Sequence, residues 1–351
     1  MGLDIGTSGV RAAELSLGKN GATLERFGQV ALPTGAVRDG EVIDPDTVAH
    51  AIKQLWTTAK FSSKKVVLGV ANQRVIVRQV DLPWLPTSEL RQSLAFQVQD
   101  FIPMPVEQAI LDFHPVEEFV SDGRRMLRIL LVAAARDMVM SALDAVRKAG
   151  LSATQVDLTP FAVLRSLAVV DNVGLASTNH DAEALVDVGS RVTNIVIHQN
   201  GVPRFVRVLL MGGDNVTDAL AERMGVPMED AESVKQQSSL GATPGVPAGE
   251  HPAARVVESS GHAFVEEIRG SLDYYLAQPG SVPMRRIVVS GGGARLGGLA
   301  QRLALATRLQ VEPAAPLSTL KVGKTGLSPE QLVYVEPLVT VPVGLAMGVA
   351  S

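Results

Sequence analysis

One short pattern occurs twice in this chain, and it limits what the rest can fold into. Leu3-Asp4-Ile5-Gly6-Thr7 near the start matches Val186-Asp187-Val188-Gly189-Ser190 in the middle, position for position. Each copy runs on into a second β-rich stretch, Arg11 to Leu17 and Val192 to His198, and then into Asn-Gly, at Asn20-Gly21 and Asn200-Gly201. Asn-Gly suits a two-residue type I′ turn, so each copy reads as a β-hairpin with a glycine-hydroxyl corner. Copies about 180 positions apart point to two similar domains rather than a solenoid. A chain of 351 residues is long enough to give each its own core.

An acid inside an apolar strand is costly to bury unless a cation offsets it, and a glycine corner turns backbone N–H groups toward an anion. Asp4 and Asp187 beside such corners therefore suggest a metal-chelated phosphate. Further corners stand at strand ends: Gly6-Thr7-Ser8, Gly189-Ser190, Gly212-Gly213 and Gly291-Gly292-Gly293. In α/β proteins ligands sit beyond the carboxyl ends of strands. One helix terminus contributes only ~0.3 to 1 kcal/mol, so a polyphosphate needs several donors plus a cation. Mg²⁺ is suited to the task because it keeps its waters, which Asp4 and Asp187 could hold from opposite sides.

Other chemistries find less support. Neither a Walker A motif nor Gly-x-Gly-x-x-Gly opening a helix is present. Ser290 lacks a nucleophile-elbow pattern, and the six histidines show no metal-ligand spacing. With no cysteine, disulfides, thiolate metal sites and Cys nucleophiles are excluded. Net charge is -4 and the basic clusters are only pairs such as Lys64-Lys65, so there is no footprint for nucleic acid. No apolar run reaches the ~18 residues of a membrane span, and no signal peptide is legible, so the chain reads as cytoplasmic. The first strand, about four residues after Met1, reads as cut short.

In chain order, Ala22 to Val30 reads as a strand, Asp46 to Lys60 as a helix, and Val66 to Ala71 and Val75 to Val80 as strands. The prolines of Asp81 to Pro86 open a separate segment: a helix from Glu89 to Phe101, a hairpin from Ala109 to Ala133, and a helix from Asp137 to Ala149. Leu151 to Leu158 resumes a strand and Pro160 to Val170 a helix. After the central hairpin come a strand from Phe205, a helix capped by Asp214 or Asn215, a second helix carrying Glu232 and Lys235, and a loop from Ser238 to Pro252. A long helix follows from Val256 to Ala277, then a strand from Arg286 to Ser290, a helix from Leu296 to Leu305 and a strand from Arg308 to Glu312. Pro313 to Glu330 reads as irregular and Leu338 to Val349 as a closing helix.

These residues carry a resemblance. Leu3 to Gly9, Val186 to Ser190 and Val289 to Ala294 resemble the phosphate-1, phosphate-2 and adenosine motifs of the actin-like ATPase superfamily. Met211 to Thr217, Ala231 to Lys235 and the insertion with Ile102-Pro103-Met104-Pro105 are most similar to the PilM family, the FtsA-like proteins of type IV pilus assembly. The resemblance implies an α/β fold of duplicated actin-like, ribonuclease H-like domains around a nucleotide cleft. Residues 1–80 and 151–183 would form the first domain, with 81–150 as the inserted subdomain. Residues 184–213 and 278–351 would form the second, with 214–277 as its helical subdomain. It further implies that Asp4 and Asp187 hold hydrated Mg²⁺, that Gly6, Thr7, Ser8, Gly189 and Ser190 grip the phosphates of ATP, that Gly291, Gly292, Gly293, Ala294, Glu232 and Lys235 embrace the adenosine, and that Gly212 and Gly213 also bind the cofactor. Arg11 stands near where relatives often carry a lysine.

The implied role is an ATP-binding adaptor recruited to the inner face of the cytoplasmic membrane by the cytosolic tail of a PilN-like protein. It leaves room for self-association and for contact with pilus motor components. Relatives with robust ATPase activity place Glu or Gln where Leu158-Thr159-Pro160-Phe161 stands, so at most a slow ATPase with no assigned catalytic residue is expected. FtsA-like division proteins end in an amphipathic membrane helix that Met347 to Ser351 does not carry, and a small-molecule kinase would need a catalytic acid that no motif singles out. The pilus family is therefore the preferred resemblance.

Overall fold

The computed structural model describes residues 1–18, 21–168, 181–241 and 252–348. The Asn20 turn position and most of the loop expected over Ser238 to Pro252 lie outside the described residues.

The first half contains β1 (Gly2–Ile5), β2 (Gly9–Gly18), β3 (Gly21–Ala31), β4 (Val37–Arg38), β5 (Glu41–Val42), α1 (Pro45–Ala59) and β6 (Lys65–Val70). It continues through β7 (Val75–Pro83), α2 (Thr87–Val98), β8 (Ala109–Ser121), β9 (Arg124–Ala135), α3 (Arg136–Lys148), β10 (Ser152–Leu158) and α4 (Thr159–Leu167). The second contains β11 (Ala182–Val188), β12 (Thr193–Gln199), β13 (Val202–Leu209), α5 (Gly213–Met224), α6 (Met228–Gln237) and α7 (Pro252–Leu276). It is completed by β14 (Met284–Ser290), α8 (Leu299–Thr307) and β15 (Gln310–Pro313), after which β16 (Lys321–Val322) and α9 (Pro329–Met347) close the chain.

Two sheets share one topology. The first runs β10-β6-β1-β2-β3-β16, and the second β15-β14-β11-β12-β13. In each, an antiparallel three-strand meander is extended by parallel strands on the side of its first strand. This is the expected duplication. The central hairpin turn has Asn200 at φ 47° and Gly201 at φ 80°, the two left-handed positions a type I′ turn needs.

Local signals account for much of the helix placement. Asp44 caps α1 by accepting from Asp46 and Thr47 N–H, both at 3.1 Å, with Pro45 at the first helical position. At α5 the cap is Gly212 rather than the expected Asp214 or Asn215, two and three residues later, and Asn215 accepts from the Gly212 N–H at 2.8 Å. The α5 helix stops at Gly225, φ 63°.

Three expectations are corrected. Strand β7, assigned to the first domain up to residue 80, pairs with β9 in the separate sheet β7-β9-β8. Helix α3, counted with the insertion, buries Ala142, Ala145 and Val146 in the same core as Val48 and Ile52 of α1. The chain end, counted with the second domain, returns to the first half. There β16 pairs with β3, and α9 buries Val335, Leu338, Val339 and Val343 against Ala13, Leu24 and Phe27.

Helix α9 also begins nine residues before the expected Leu338. Ser328 and Gln331 form its capping box and Pro329 its first position. Pro337 lies inside the helix, and Leu338 to Ala346, buried without interruption, shows no amphipathic period. With α4, α9 forms the layer between the sheets: Ala162, Val163, Val341 and Leu345 pack against Val67 on one side and Leu185, Val196 and Val288 on the other.

Candidate nucleotide site

The carboxyl ends of β1, β11 and β14 open into a cleft of about 870 Å³ between the halves. Asp4 and Asp187 line it together with Gly6, Thr7, Ser8, Gly189 and Ser190, so the two repeated motifs meet as the sequence implies. The glycine N–H groups of these corners are already used. Gly6 N–H donates to Gly9 O at 3.0 Å and Gly189 N–H to Val192 O at 2.9 Å, which shapes each corner and leaves the hydroxyls of Thr7, Ser8 and Ser190 as the side-chain groups on offer.

The electrostatics of the two acids differ. Across the β1–β2 pair Asp4 faces Arg11, whose Nη1 lies 3.6 Å from the carboxylate while Nη2 donates to Ser8 Oγ at 3.3 Å. Across β11–β12 Asp187 faces Asn194, whose Nδ2 lies 3.5 Å away. Burial raises the Asp4 carboxyl above its usual range, and the Arg11 charge partly offsets this. Burial, and then the negative charge of Asp4, push Asp187 up to about 6, against weaker pulls from Asn194, Arg11 and Ser290.

The donor set fits a hydrated Mg²⁺ better than a metal held by protein alone. Among the described residues no cluster of three or more His, Cys, Asp or Glu is arranged to hold an ion. Mg²⁺ is commonly held by one or two carboxylates plus phosphates and waters. Buried and lacking a partner at this site are Arg11 Nε, Ser190 Oγ and Asn194 Oδ1. Orphaned polar atoms of this kind usually indicate a missing water, ion or ligand.

Close approach explains several glycines. A Cβ at Gly291, φ 85°, would lie 2.3 Å from Val188 O, and one at Gly293 2.5 Å from Val188 Cγ1. Gly291, Gly292, Gly293 and Gly213 line the cleft, but Gly212 and Ala294 do not. The role expected for Gly212 is corrected accordingly: its Cβ would meet Gly189 O at 2.4 Å, so it lets α5 start against the second corner. Ala294 N–H turns back to Gly291 O at 3.3 Å.

On the adenosine side Lys235 Nζ lies 2.6 Å from Glu232, 2.8 Å from Thr217 Oγ1 and 3.1 Å from Gly213 O. Burial pushes Glu232 up, but hydrogen bonds from Lys235 and Thr217 outweigh it and hold the carboxyl below its usual range. Thr217, Arg295 and Tyr334 also line the cleft and were missed in the sequence. Thr217 lies one turn after Gly213 on the same helix, a signal that was available. Arg295 stacks over the Tyr334 ring at 4.0 Å, a pairing hidden while residues 331 to 337 were not read as helix. Asp157 is ion-paired with Arg165, while Thr159 lines the cleft.

A family model described as type IV pilus assembly protein PilM matches residues 2–349. A solved PilM-PilN type IV pilus biogenesis complex contains a chain 28% identical to this one, with a TM-score of 0.85 over 100% of this chain and 98% of that one. The ADP-bound structure of MreB5 of Spiroplasma citri shares the fold at 12% identity and a TM-score of 0.52, covering 99% of this chain and 94% of that one. The cell division protein FtsA of Bacillus subtilis is 26% identical over 261 residues, which is 67% of this chain and 57% of that protein's length. Among the described residues no helix is long and apolar enough to cross a membrane. On the match across its length and the actin-like duplication of its sheets, this chain belongs to the PilM family of type IV pilus assembly proteins.

Proposed function

We propose that this protein binds MgATP between its two halves and, in that state, takes up the cytosolic tail of a PilN-like inner-membrane protein at the membrane's cytoplasmic face. The observation that carries the first part is the convergence on one interdomain cleft of two acids, the hydroxyls of Thr7, Ser8 and the orphaned Ser190, and the orphaned Arg11 Nε and Asn194 Oδ1. Asp4 and Asp187 would hold hydrated Mg²⁺, which when bound neutralises phosphate charge. Thr7, Ser8 and Ser190 would face the phosphates, and Glu232, Lys235 and Gly291 to Gly293 the adenosine. Turnover is slow on this reading, because the Thr159 hydroxyl is a much weaker proton acceptor than a carboxylate for positioning a nucleophile, and Asp157 is committed to Arg165.

The second part rests on the family and on a hollow of about 310 Å³ between β7 and the turn after α2, lined by Ile76, Arg78, Asp100, Phe101, Ile102 and Pro103. Arg78 Nη1 donates to Phe101 O at 2.9 Å, and Phe101 remains 37% exposed. Such a place suits an extended peptide with apolar anchors. Self-association and contacts with pilus motor components remain proposals of the family resemblance alone.

The test is a pair of calorimetric titrations on the full chain. MgATP is expected to bind wild type and to bind Asp187→Ala much more weakly. With MgATP present, a peptide copying the tail of a PilN-like protein is expected to bind wild type and to lose affinity in Phe101→Ser. No MgATP binding would reject the first part, and undiminished peptide affinity in Phe101→Ser would place the partner elsewhere.

A further inference from the structure

We propose that Leu240 is a positioning residue for the nucleoside part of the ligand, because it fixes α6, which carries Glu232 and Lys235, to the glycine turn that follows β14. This rests on the nucleotide reading above and deepens it by naming what holds the adenosine side together. Helix α6 is poorly anchored by burial: Ala231 is its one buried residue. Its polar ties run to α5, from Lys235 Nζ to Gly213 O and Thr217 Oγ1, and from Thr217 Oγ1 to Glu232 at 2.7 Å. Those are the groups assigned to the nucleoside, so a ligand that engages them draws on the ties that place the helix. Another attachment must hold α6 while they are occupied.

The segment Ser238 to Gly241 supplies it. Ser238 N–H donates to Lys235 O at 3.0 Å and Ser238 Oγ to Val234 O at 2.7 Å, so the segment leaves the last turn of α6 in a fixed direction. Ser239 then forms a bridge with Gly297, and Leu240 N–H donates to Gly297 O at 2.6 Å. Gly297 directly follows Arg295 and Leu296, both of which line the cleft. Gly241 N–H donates to Glu258 Oε2 of α7 at 2.8 Å, and Glu258 is ion-paired with Arg302 of α8. One short segment thus ties α6 to the turn on the opposite side of the nucleoside pocket.

Side-chain packing puts Leu240 at the centre of this tie. It is 6% exposed, and Gly261 and Gly298 make its seat. A Cβ at Gly261, inside α7, would lie 2.1 Å from Leu240 Cδ2, and one at Gly298, φ 79°, 2.1 Å from Leu240 O. Glycine disfavours a helix interior. At position 261 the space it leaves is the space that Leu240 fills. The acids and hydroxyls of the phosphate side stand on the β1–β2 and β11–β12 hairpins, outside the segments that Leu240 joins. Loss of its side chain therefore reaches the ligand through α6.

The test is calorimetric titration of the full chain with MgATP, on wild type, Leu240→Ala, Leu240→Met, Lys235→Met and the double variant Leu240→Ala with Lys235→Met. Leu240→Ala is expected to bind roughly tenfold more weakly, the low end of the range found when a group that orients a ligand-holding residue is lost. Leu240→Met, nearly equal in volume, is expected to bind as wild type does. The loss in the double variant is expected to fall short of the product of the two single losses, because Leu240 acts through the helix that carries Lys235. A residue that merely stiffens the second half would instead multiply the loss of Lys235→Met in full. Gly261→Ala, which presses on Leu240 from α7, is expected to match Leu240→Ala and takes its place should the latter not fold. Wild-type affinity in Leu240→Ala, full multiplication in the double variant, or a loss in Leu240→Met as large as in Leu240→Ala would each overturn the proposal. A wild type that does not bind MgATP would overturn the nucleotide reading on which it rests.

Discussion

The two hairpins that face each other across the cleft share backbone, register and corner, and differ in one cross-strand partner. In the first, Asp4 is opposite Arg11; in the second, Asp187 is opposite Asn194. The corners close alike, Gly6 N–H on Gly9 O and Gly189 N–H on Val192 O. Duplication thus supplied two acids in equivalent places, and the strand behind each assigned them different charge states. Asp4 has a built-in cation. Asp187 faces an amide instead and feels the Arg11 charge only weakly, and Asp4 opposes its charge from across the cleft. The second hairpin is therefore the one that gains most from an added cation.

The largest expected effect follows from that inequality. Asp187→Asn should weaken MgATP binding by roughly 10- to 100-fold, the range seen when an outer-shell metal partner is lost, and Asp4→Asn by less. Calorimetry on both variants checks the order, and equal losses would erase the asymmetry.

Next, Arg11→Met leaves Asp4 with no cation in a partly buried place. Breaking a buried pair commonly costs about 3 to 5 kcal/mol. The 3.6 Å separation and residual exposure of Arg11 and Asp4 place this case below that range, at about 2 kcal/mol in urea unfolding of the ligand-free chain. Added Mg²⁺ with nucleotide should recover part of it, and an unchanged midpoint would show that Arg11 does not serve as the counter-ion of Asp4.

The last expectation concerns the pH dependence. The folded Asp187 carboxyl is raised to about 6, so the native state holds its proton more tightly than the unfolded chain does. The stabilisation this gives the ligand-free protein is complete below about pH 4 and is lost as pH rises through about 6. At neutral pH the absent contribution is roughly 2 to 3 kcal/mol. Ligand-free stability measured against pH should fall over that window, and in Asp187→Asn this part of the fall should disappear. Protons and Mg²⁺ compete for the same oxygens, so MgATP affinity should rise over the same window. A flat profile would mean that Asp187 titrates like an exposed carboxylate.

The sequence was most readable where local chemistry and tertiary structure agree. Both Asp hairpins, the glycine corners and the order of strands were legible because period-two alternation and Asn-Gly turns act over a few residues. The ends of α1 were legible to within a residue and the stop of α5 at Gly225, whereas the α5 cap lies two residues before Asp214. The inserted segment was found, but its edges were misplaced. Nothing in Val75 to Val80 says which sheet will take it, and α3 has the amphipathic pattern of a surface helix whichever core receives it. Among site residues Asp4, Asp187, Ser190, Glu232 and Lys235 converge on the cleft, whereas Gly212 and Ala294 serve the backbone around it.

What the sequence by itself determined was the duplication and the chemistry placed at each strand end, since those are properties of short segments and their repetition. Tertiary structure alone decided that Arg11 sits against Asp4 and acts on Asp187 only weakly, because that depends on cross-strand register and on which charges share a low-dielectric space. It also decided the place of α9. A helix buried on every side shows no face in its sequence, and its two prolines argue against it locally. The packing of both halves against Leu338 to Ala346 holds it in place and makes it the element through which they meet.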